Sequence, residues 1–196
     1  MKNVLIHCAM EKESEKIAKA LNMEKIEKLY KAKIDETTIT LITTGIGKQK
    51  TAIGLVKYLE NNEKPDLIIN IGYVGSTDTP IGTWINVNRS YNLEWNIPDE
   101  EKYSMDIGNQ ELKLIPELEN IPCYTAECFV TKTDIKEKVL FDMELHSVCL
   151  IADIYKTPVA SIKQVSDNLS LNNYYKNIDN ILKLEDGVKY IKKYIN

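Results

Sequence analysis

Lys64-Pro65-Asp66-Leu67-Ile68-Ile69-Asn70-Ile71-Gly72-Tyr73-Val74-Gly75-Ser76 is the stretch that decides the fold. The Lys-Pro-Asp triplet breaks the chain, since proline neither continues a helix nor donates a backbone hydrogen bond. Leu67–Ile71 then runs on without the polar alternation of a half-exposed strand. It reads as a central strand buried on both faces, the pattern of a parallel sheet. Gly72–Ser76 has loop chemistry and is expected to close that strand.

Working outward, strand-like and helix-like segments alternate. Val4–Ala9 reads as a first strand. Glu11–Asn22 reads as an amphipathic helix, with Ile17, Ala20 and Leu21 on one face and acids in the first turn. Glu27–Ala32 and Thr37–Thr43 are expected strands. Thr44-Gly45-Ile46-Gly47-Lys48 leads into a helix over Gln49–Asn61. Thr83–Asn88 and Tyr124–Val130 read as strands, and Tyr91–Leu118 between them as a long loop with one hairpin. Asp134–Val139 reads as a short helix or turn, Asp142–Tyr155 as a helix, and Pro158–Val165 as a strand ending in Ser166-Asp167-Asn168. A helix over Leu184–Ile195 closes the chain. This order predicts an α/β fold: one domain over residues 1–196, with a central mixed, mostly parallel sheet flanked by helices. In such sheets ligands bind beyond the carboxyl ends of the strands. That rule singles out Cys8–Glu13, Gly45–Lys48, Gly72–Ser76, Phe129–Val130, Ser166–Asn168 and the start of the 142–155 helix.

The 196 residues carry a net charge of -4, with 25 basic and 29 acidic side chains. A dedicated nucleic-acid binder is usually strongly basic, so neither nucleic acid nor an anionic membrane is an expected partner. No run approaches the ~18 apolar residues of a membrane span. The N-terminus turns charged too soon for a signal peptide, so a cytoplasmic protein is expected. Cys8, Cys123, Cys128 and Cys149 are then expected to be reduced, buried small hydrophobes.

Few motifs carry chemistry. Gly45-x-Gly47-Lys48 suits either a phosphate cradle at a helix start or a tight strand-to-helix turn, and lacks the full phosphate-loop spacing. His7 and His146 are the only histidines and have no ligand-like spacing, so no metal is expected. Carboxylates are more telling. Asp167 follows a strand, where partial shielding from water would raise its pKa toward general-acid work; it also suits a helix cap. Glu144, and Glu11 and Glu13, open helices and equally suit first-turn acids that complement the dipole.

Ala9-Met10-Glu11-Lys12-Glu13, Thr44–Lys48, Lys64–Gly72, Phe129-Val130, Asp142-Met143-Glu144 and Val165-Ser166-Asp167, in that order, resemble the nucleoside phosphorylase/nucleosidase superfamily, and within it the 5'-methylthioadenosine/S-adenosylhomocysteine nucleosidases. The resemblance spans roughly residues 1–90 and 123–170. It implies hydrolysis of the N-glycosidic bond of a purine nucleoside, without a cofactor, by a homodimer. Asp167 would act on the purine N7, with Ser166 holding its carboxylate. Phe129 would stack on the base and the Val130 backbone would read its edge. Glu144 would take the ribose hydroxyls, with Met143 against the sugar. Glu13 would activate the attacking water. Met10, Gly72, Tyr73 and Lys163 fall at substrate-binding positions. Tyr73 replaces a family serine and is expected to crowd the water and ribose region. Lys163 replaces an arginine, keeping the charge but losing the planar fork. Tyr91-Asn92-Leu93-Glu94-Trp95 stands where the family shapes its dimer and 5'-pocket. A phosphorylase, an aminofutalosine-type nucleosidase, a catalytically impaired nucleoside-binding protein, and an α/β domain with no small-molecule role are the alternatives.

Overall fold

The computed structural model describes residues 3–195. β1 (Asn3–Cys8) leads into α1 (Glu11–Ala20), then β2 (Glu24–Ile26), β3 (Leu29–Ile34) and β4 (Thr37–Thr43). α2 (Lys48–Asn61) precedes β5 (Leu67–Ser76), β6 (Trp84–Asn92), β7 (Glu119–Thr125) and β8 (Leu140–Asp142). α3 (Leu145–Ile154), β9 (Val159–Asp167), α4 (Leu171–Asn180), a 3-10 turn (Leu184–Gly187) and α5 (Val188–Ile195) follow.

The strands form one mixed sheet in the order β2-β3-β4-β1-β5-β8-β7-β6-β9. β5 also pairs with β9. Thus β5, β8, β7, β6 and β9 close on themselves, and β1, β4, β3 and β2 extend from that ring as an open wing. Parallel pairings outnumber antiparallel ones five to four. Consecutive side chains of a strand point to opposite faces, and each face finds its own helices. Ile69, Ile71 and Ile162 pack with Ile17 of α1, Leu21 just after it, Leu184 of the 3-10 turn and Ile191 of α5. On the other face Ile68, Val74 and Val165 pack with Leu55 and Leu59 of α2 and Leu145 and Val148 of α3. Every residue of β5 is buried; truncating Ile68 or Ile69 to Ala would cost about 2–5 kcal/mol.

Several expectations need correction. Gly72–Ser76 is not a loop: it continues β5 as strand. Tyr124–Val130 is not one strand, because β7 ends at Thr125 and residues 126–130 form an irregular turn. No hairpin forms within 93–118. β6 and β7 are parallel, so their connection must cross back along the whole strand length. Asp134–Val139 is not helical; Val139 is drawn into a two-way backbone and side-chain pairing with Thr77. Leu140–Asp142, partly assigned to the following helix, is β8. β2 and α4 are additional elements. α4 holds four asparagines, poor helix formers. It is secured instead by Ser170, which accepts from the Asn173 N–H (3.4 Å), and by Asn177, which donates to the Ser166 carbonyl (2.7 Å). All four cysteines are free, but Cys128 is exposed rather than buried, since it lies in the 126–130 turn. No helix among the described residues is long and apolar enough to cross a membrane.

Candidate active site

Four acidic residues, Glu13, Asp142, Glu144 and Asp167, line a single cavity of about 210 Å³ at the carboxyl ends of the parallel strands. Met10, Tyr73, Phe129, Met143 and Ser166 line it too. Among the described residues, no lysine or arginine does.

Glu13 sits in the first turn of α1 and folds back over it. Its Oε2 accepts the N–H groups of Ala9 (3.2 Å) and Met10 (3.0 Å), and its Oε1 that of Tyr73 (3.3 Å). A carboxylate offers about four acceptor positions, so roughly one stays open for water or ligand. Burial raises its pKa, and the backbone donors and the Lys163 charge oppose that rise.

Asp167 ends β9. Ser166 Oγ donates to its Oδ2 (2.8 Å), and the Ser170 N–H to its Oδ1 (3.2 Å). Burial again raises its pKa, against these two donors. Ser170, not Asp167, occupies the capping position of α4.

The glycines that made the end of β5 look like a loop make room for these two acids. A Cβ on Gly72 would lie 3.0 Å from Glu13 Oε1, and one on Gly75 would lie 3.1 Å from Asp167 Oδ1. Ordinary Cβ contacts are looser, so any larger residue would push either carboxylate aside.

Glu144 lies between β8 and α3. Its Oε1 accepts the Gly47 N–H (2.9 Å). This contact decides the role of the Gly45-Ile46-Gly47 turn. Both glycines take positive φ (96° and 100°), the left-handed region that suits glycine. The N–H that would have cradled a phosphate serves a carboxylate instead. Lys48 turns away to Asn92 (2.8 Å) and Glu94. Burial, then the Asp142 charge, pushes the Glu144 pKa up to about 8, with Lys163 and Gly47 opposing.

Beneath Glu144 lies a buried ion pair. Asp142 accepts from Lys163 Nζ (2.8 Å), Thr125 Oγ1 (2.6 Å) and the Leu145 N–H (3.0 Å). Burial alone would raise the Asp142 pKa, but the Lys163 charge and hydrogen bond prevail and hold it below the usual carboxylate range. Lys163 is thus engaged below the cavity, and neither it nor Gly72 is among the lining residues. Val130 lines a small adjoining cavity with Phe129 and Asp167.

Tyr73 belongs to the α1 face of β5, packed in the cluster of Ile17, Ile71 and Leu184. Its hydroxyl accepts from Lys16 Nζ (3.3 Å). It stands in the wall between the carboxylate cavity and a neighbouring one of about 370 Å³, so the crowding expected of it falls on that wall. His7 is buried in a chain of hydrogen bonds. Ser161 donates to Asn70 (3.0 Å), Asn70 to His7 Nδ1 (3.0 Å), and His7 Nε2 to Thr44 (2.8 Å). Burial lowers its pKa to about 3, so the ring stays neutral. Arg89 is on β6, over the Tyr91 ring and away from the cavity. Among the described residues, no group of three or more His, Cys, Asp or Glu is placed to hold a metal ion.

Sequence reasoning missed Phe141, Leu171, Tyr174 and Tyr175 in the cavity wall. Three of them come from α4, which was not expected. Their spacing at i, i+3 and i+4 is the signal that would have found them. Tyr174 meets Phe129 edge-on, with ring centroids 5.6 Å apart.

A family model described as "Phosphorylase superfamily" matches residues 3–126. Solved structures share the fold. A putative 5'-methylthioadenosine/S-adenosylhomocysteine nucleosidase from Borrelia burgdorferi B31, bound to adenine, superposes with a TM-score of 0.83 at 23% identity, over 98% of each chain. One from Francisella philomiragia also gives 0.83, at 18% identity over 100% of this chain and 99% of that one. A futalosine hydrolase mutant from Helicobacter pylori gives 0.83 at 13% identity, again over 100% and 99%.

Proposed function

The chain belongs to the phosphorylase superfamily, and from that premise we propose that it hydrolyses the N-glycosidic bond of a purine nucleoside resembling 5'-methylthioadenosine or S-adenosylhomocysteine, releasing adenine. The observation that carries this reading is the convergence of Glu13, Glu144 and Asp167 on one cavity walled by Phe129 and Met143. Cleavage of a ribosidic bond develops positive charge on the sugar. It therefore favours nearby carboxylates, an acid at the leaving base and a base at the water.

In this mechanism Phe129 packs on the purine. Asp167, whose pKa burial raises, passes a proton to N7 as the C1'–N9 bond breaks and its electrons move into the base. Ser166 holds the resulting carboxylate. Glu144 accepts from the ribose hydroxyls, and Met143 packs on the sugar. Glu13, pinned by three backbone donors, uses its remaining acceptor position to orient water. It takes the water proton as the oxygen bonds to C1'. The products are adenine and the free sugar, and the proton on Glu13 returns through solvent to Asp167. No cofactor enters these steps.

Phosphorolysis is the rival within the superfamily. The lysine-free lining of the cavity speaks against an orthophosphate site there, although Lys12, Lys16 and Lys19 line the neighbouring cavity with Glu15 and Asp179. The Helicobacter futalosine hydrolase of the same fold supports an aminofutalosine-type substrate as the second reading. Homodimerisation, a place in methionine salvage and a cytoplasmic location extend the proposal, and sedimentation of the purified protein tests the first. The deciding experiment is adenine release from methylthioadenosine with and without phosphate. Release that ignores phosphate supports hydrolysis. Release that requires it moves the protein to the phosphorylases. Binding without release points to another 5'-substituent or to a binding protein, which a nucleoside panel separates.

A further inference from the structure

We propose that Lys163 is a positioning residue that acts through Asp142, cancelling its buried charge so that Glu144 is held in the form and place that receive the ribose hydroxyls. The proposal rests on the nucleosidase reading, in which Glu144 holds the sugar. It gives Lys163 a role other than contact with substrate.

The geometry is a relay across three strands. Lys163 is on β9, Asp142 ends β8 and Thr125 ends β7. The ion pair is almost completely enclosed, with side chains only 2% and 1% exposed. Asp142 uses one oxygen for Thr125 and the other for both Lys163 and the Leu145 N–H. Thr125 Oγ1 in turn accepts the His146 N–H (2.9 Å). Two backbone donors of the first turn of α3 are therefore held by this cluster. Glu144 is the residue immediately before that turn and projects from it into the cavity. Whatever fixes Asp142 fixes the start of α3, and with it Glu144.

Charge supplies the second half of the argument. The charged or titratable groups acting on Glu144 are Asp142 from β8, Lys163 from β9 and Glu13 from α1, with Tyr174 of α4 also within its field. Lys163 is the only cation in that set. Remove its charge, and two buried acids stand beside Glu144 with nothing to offset them. Breaking a buried pair by deleting one partner leaves an uncompensated charge. Two buried acids can relieve that charge by taking a proton, Asp142 itself and Glu144. A proton on Asp142 loosens its hold on the first turn of α3, and a proton on Glu144 depletes further the ionised form that accepts from two hydroxyls.

Three variants, each made in an Asp167→Asn background that leaves the nucleoside uncleaved, test this by calorimetric affinity for adenine and for methylthioadenosine, with folding checked by thermal melting. Lys163→Met keeps the stem but not the charge. It should weaken nucleoside binding at pH 7 by tenfold or more while adenine affinity stays within twofold, and the loss should shrink as pH rises. Lys163→Arg should restore nucleoside affinity to within about threefold. Lys163→Met/Asp142→Asn removes both charges together, which also guards against a single variant that fails to fold. It should recover most of the lost affinity, which a purely space-filling lysine would not allow. The proposal is overturned if Lys163→Met binds the nucleoside normally, if it loses adenine and nucleoside alike, or if the double variant binds the nucleoside no better than the single one. Wild-type protein that binds neither compound overturns the nucleosidase reading itself, and this role for Lys163 with it.

Discussion

The two ends of the cavity are built on opposite electrostatic plans. At one end Asp167 stands alone: its pKa rises through burial, opposed by the Ser166 hydroxyl and the backbone N–H groups of Ser170 and Leu169. At the other end Glu144 is crowded by Asp142, Lys163 and Glu13, and its pKa reflects charge as well as burial. An isolated acid can change protonation without disturbing its neighbours, which suits proton delivery to a leaving base. A crowded one is tied to its neighbours, which suits holding a sugar in one place. The lesson is that burial alone makes an acid, whereas a binding carboxylate among other acids needs a resident cation nearby.

The largest expected effect attacks the isolated end. Asp167→Asn should lower kcat for adenine release by about 10³-fold, within the range of a lost general acid, with the melting temperature nearly unchanged. An unchanged rate would end the acid assignment and erase the contrast between the two ends. Next, Gly72→Ala should lower kcat by roughly tenfold or more, because its Cβ would stand 3.0 Å from Glu13 Oε1 and small misplacements at a reacting centre are costly. Steady-state kinetics at saturating nucleoside would read this, and a fully active alanine variant would show that Glu13 does not need its present position.

The crowded end is sharpened by pH. Glu144 has a folded pKa raised to about 8 from a usual 4.5. A raised acid binds more protons when folded than when unfolded, so its contribution to stability is full below about 4.5 and is lost as pH rises to about 8. Glu144→Gln should therefore melt increasingly better than wild type across that window. A melting difference independent of pH would show that Glu144 is not perturbed. The smallest effect is expected in the wall. Tyr73→Phe removes the hydroxyl's hydrogen bonds with Lys16 and the Leu184 backbone, which should cost about 1 kcal/mol of stability and leave kcat within about twofold. A large kinetic loss would instead bring the Tyr73 hydroxyl into the reaction.

Much of this was readable beforehand. The apolar run Leu67–Ile71 marked the central strand because burial on both faces leaves no polar alternation. The rule that ligands bind beyond strand ends pointed to the segments bearing Glu13, Glu144 and Asp167. What misled was glycine. Gly72 and Gly75 carry a loop's composition, yet they sit in β5 because two carboxylates need the space a Cβ would fill. The same limit explains Lys163. A sequence shows a cation near a site but not which acid it faces, and the partner lies 21 residues away on another strand.

By itself the sequence determined the alternation of strands and helices, the buried central strand and the acids near its edge, since local periodicity and residue type carry that information. Tertiary structure alone decided the rest. It closed five strands into a ring, aimed the Gly47 N–H at a carboxylate rather than a phosphate, and buried Lys163 against Asp142. Each of these depends on contacts between residues far apart in the chain, whose energies arise only once the strands have chosen their neighbours.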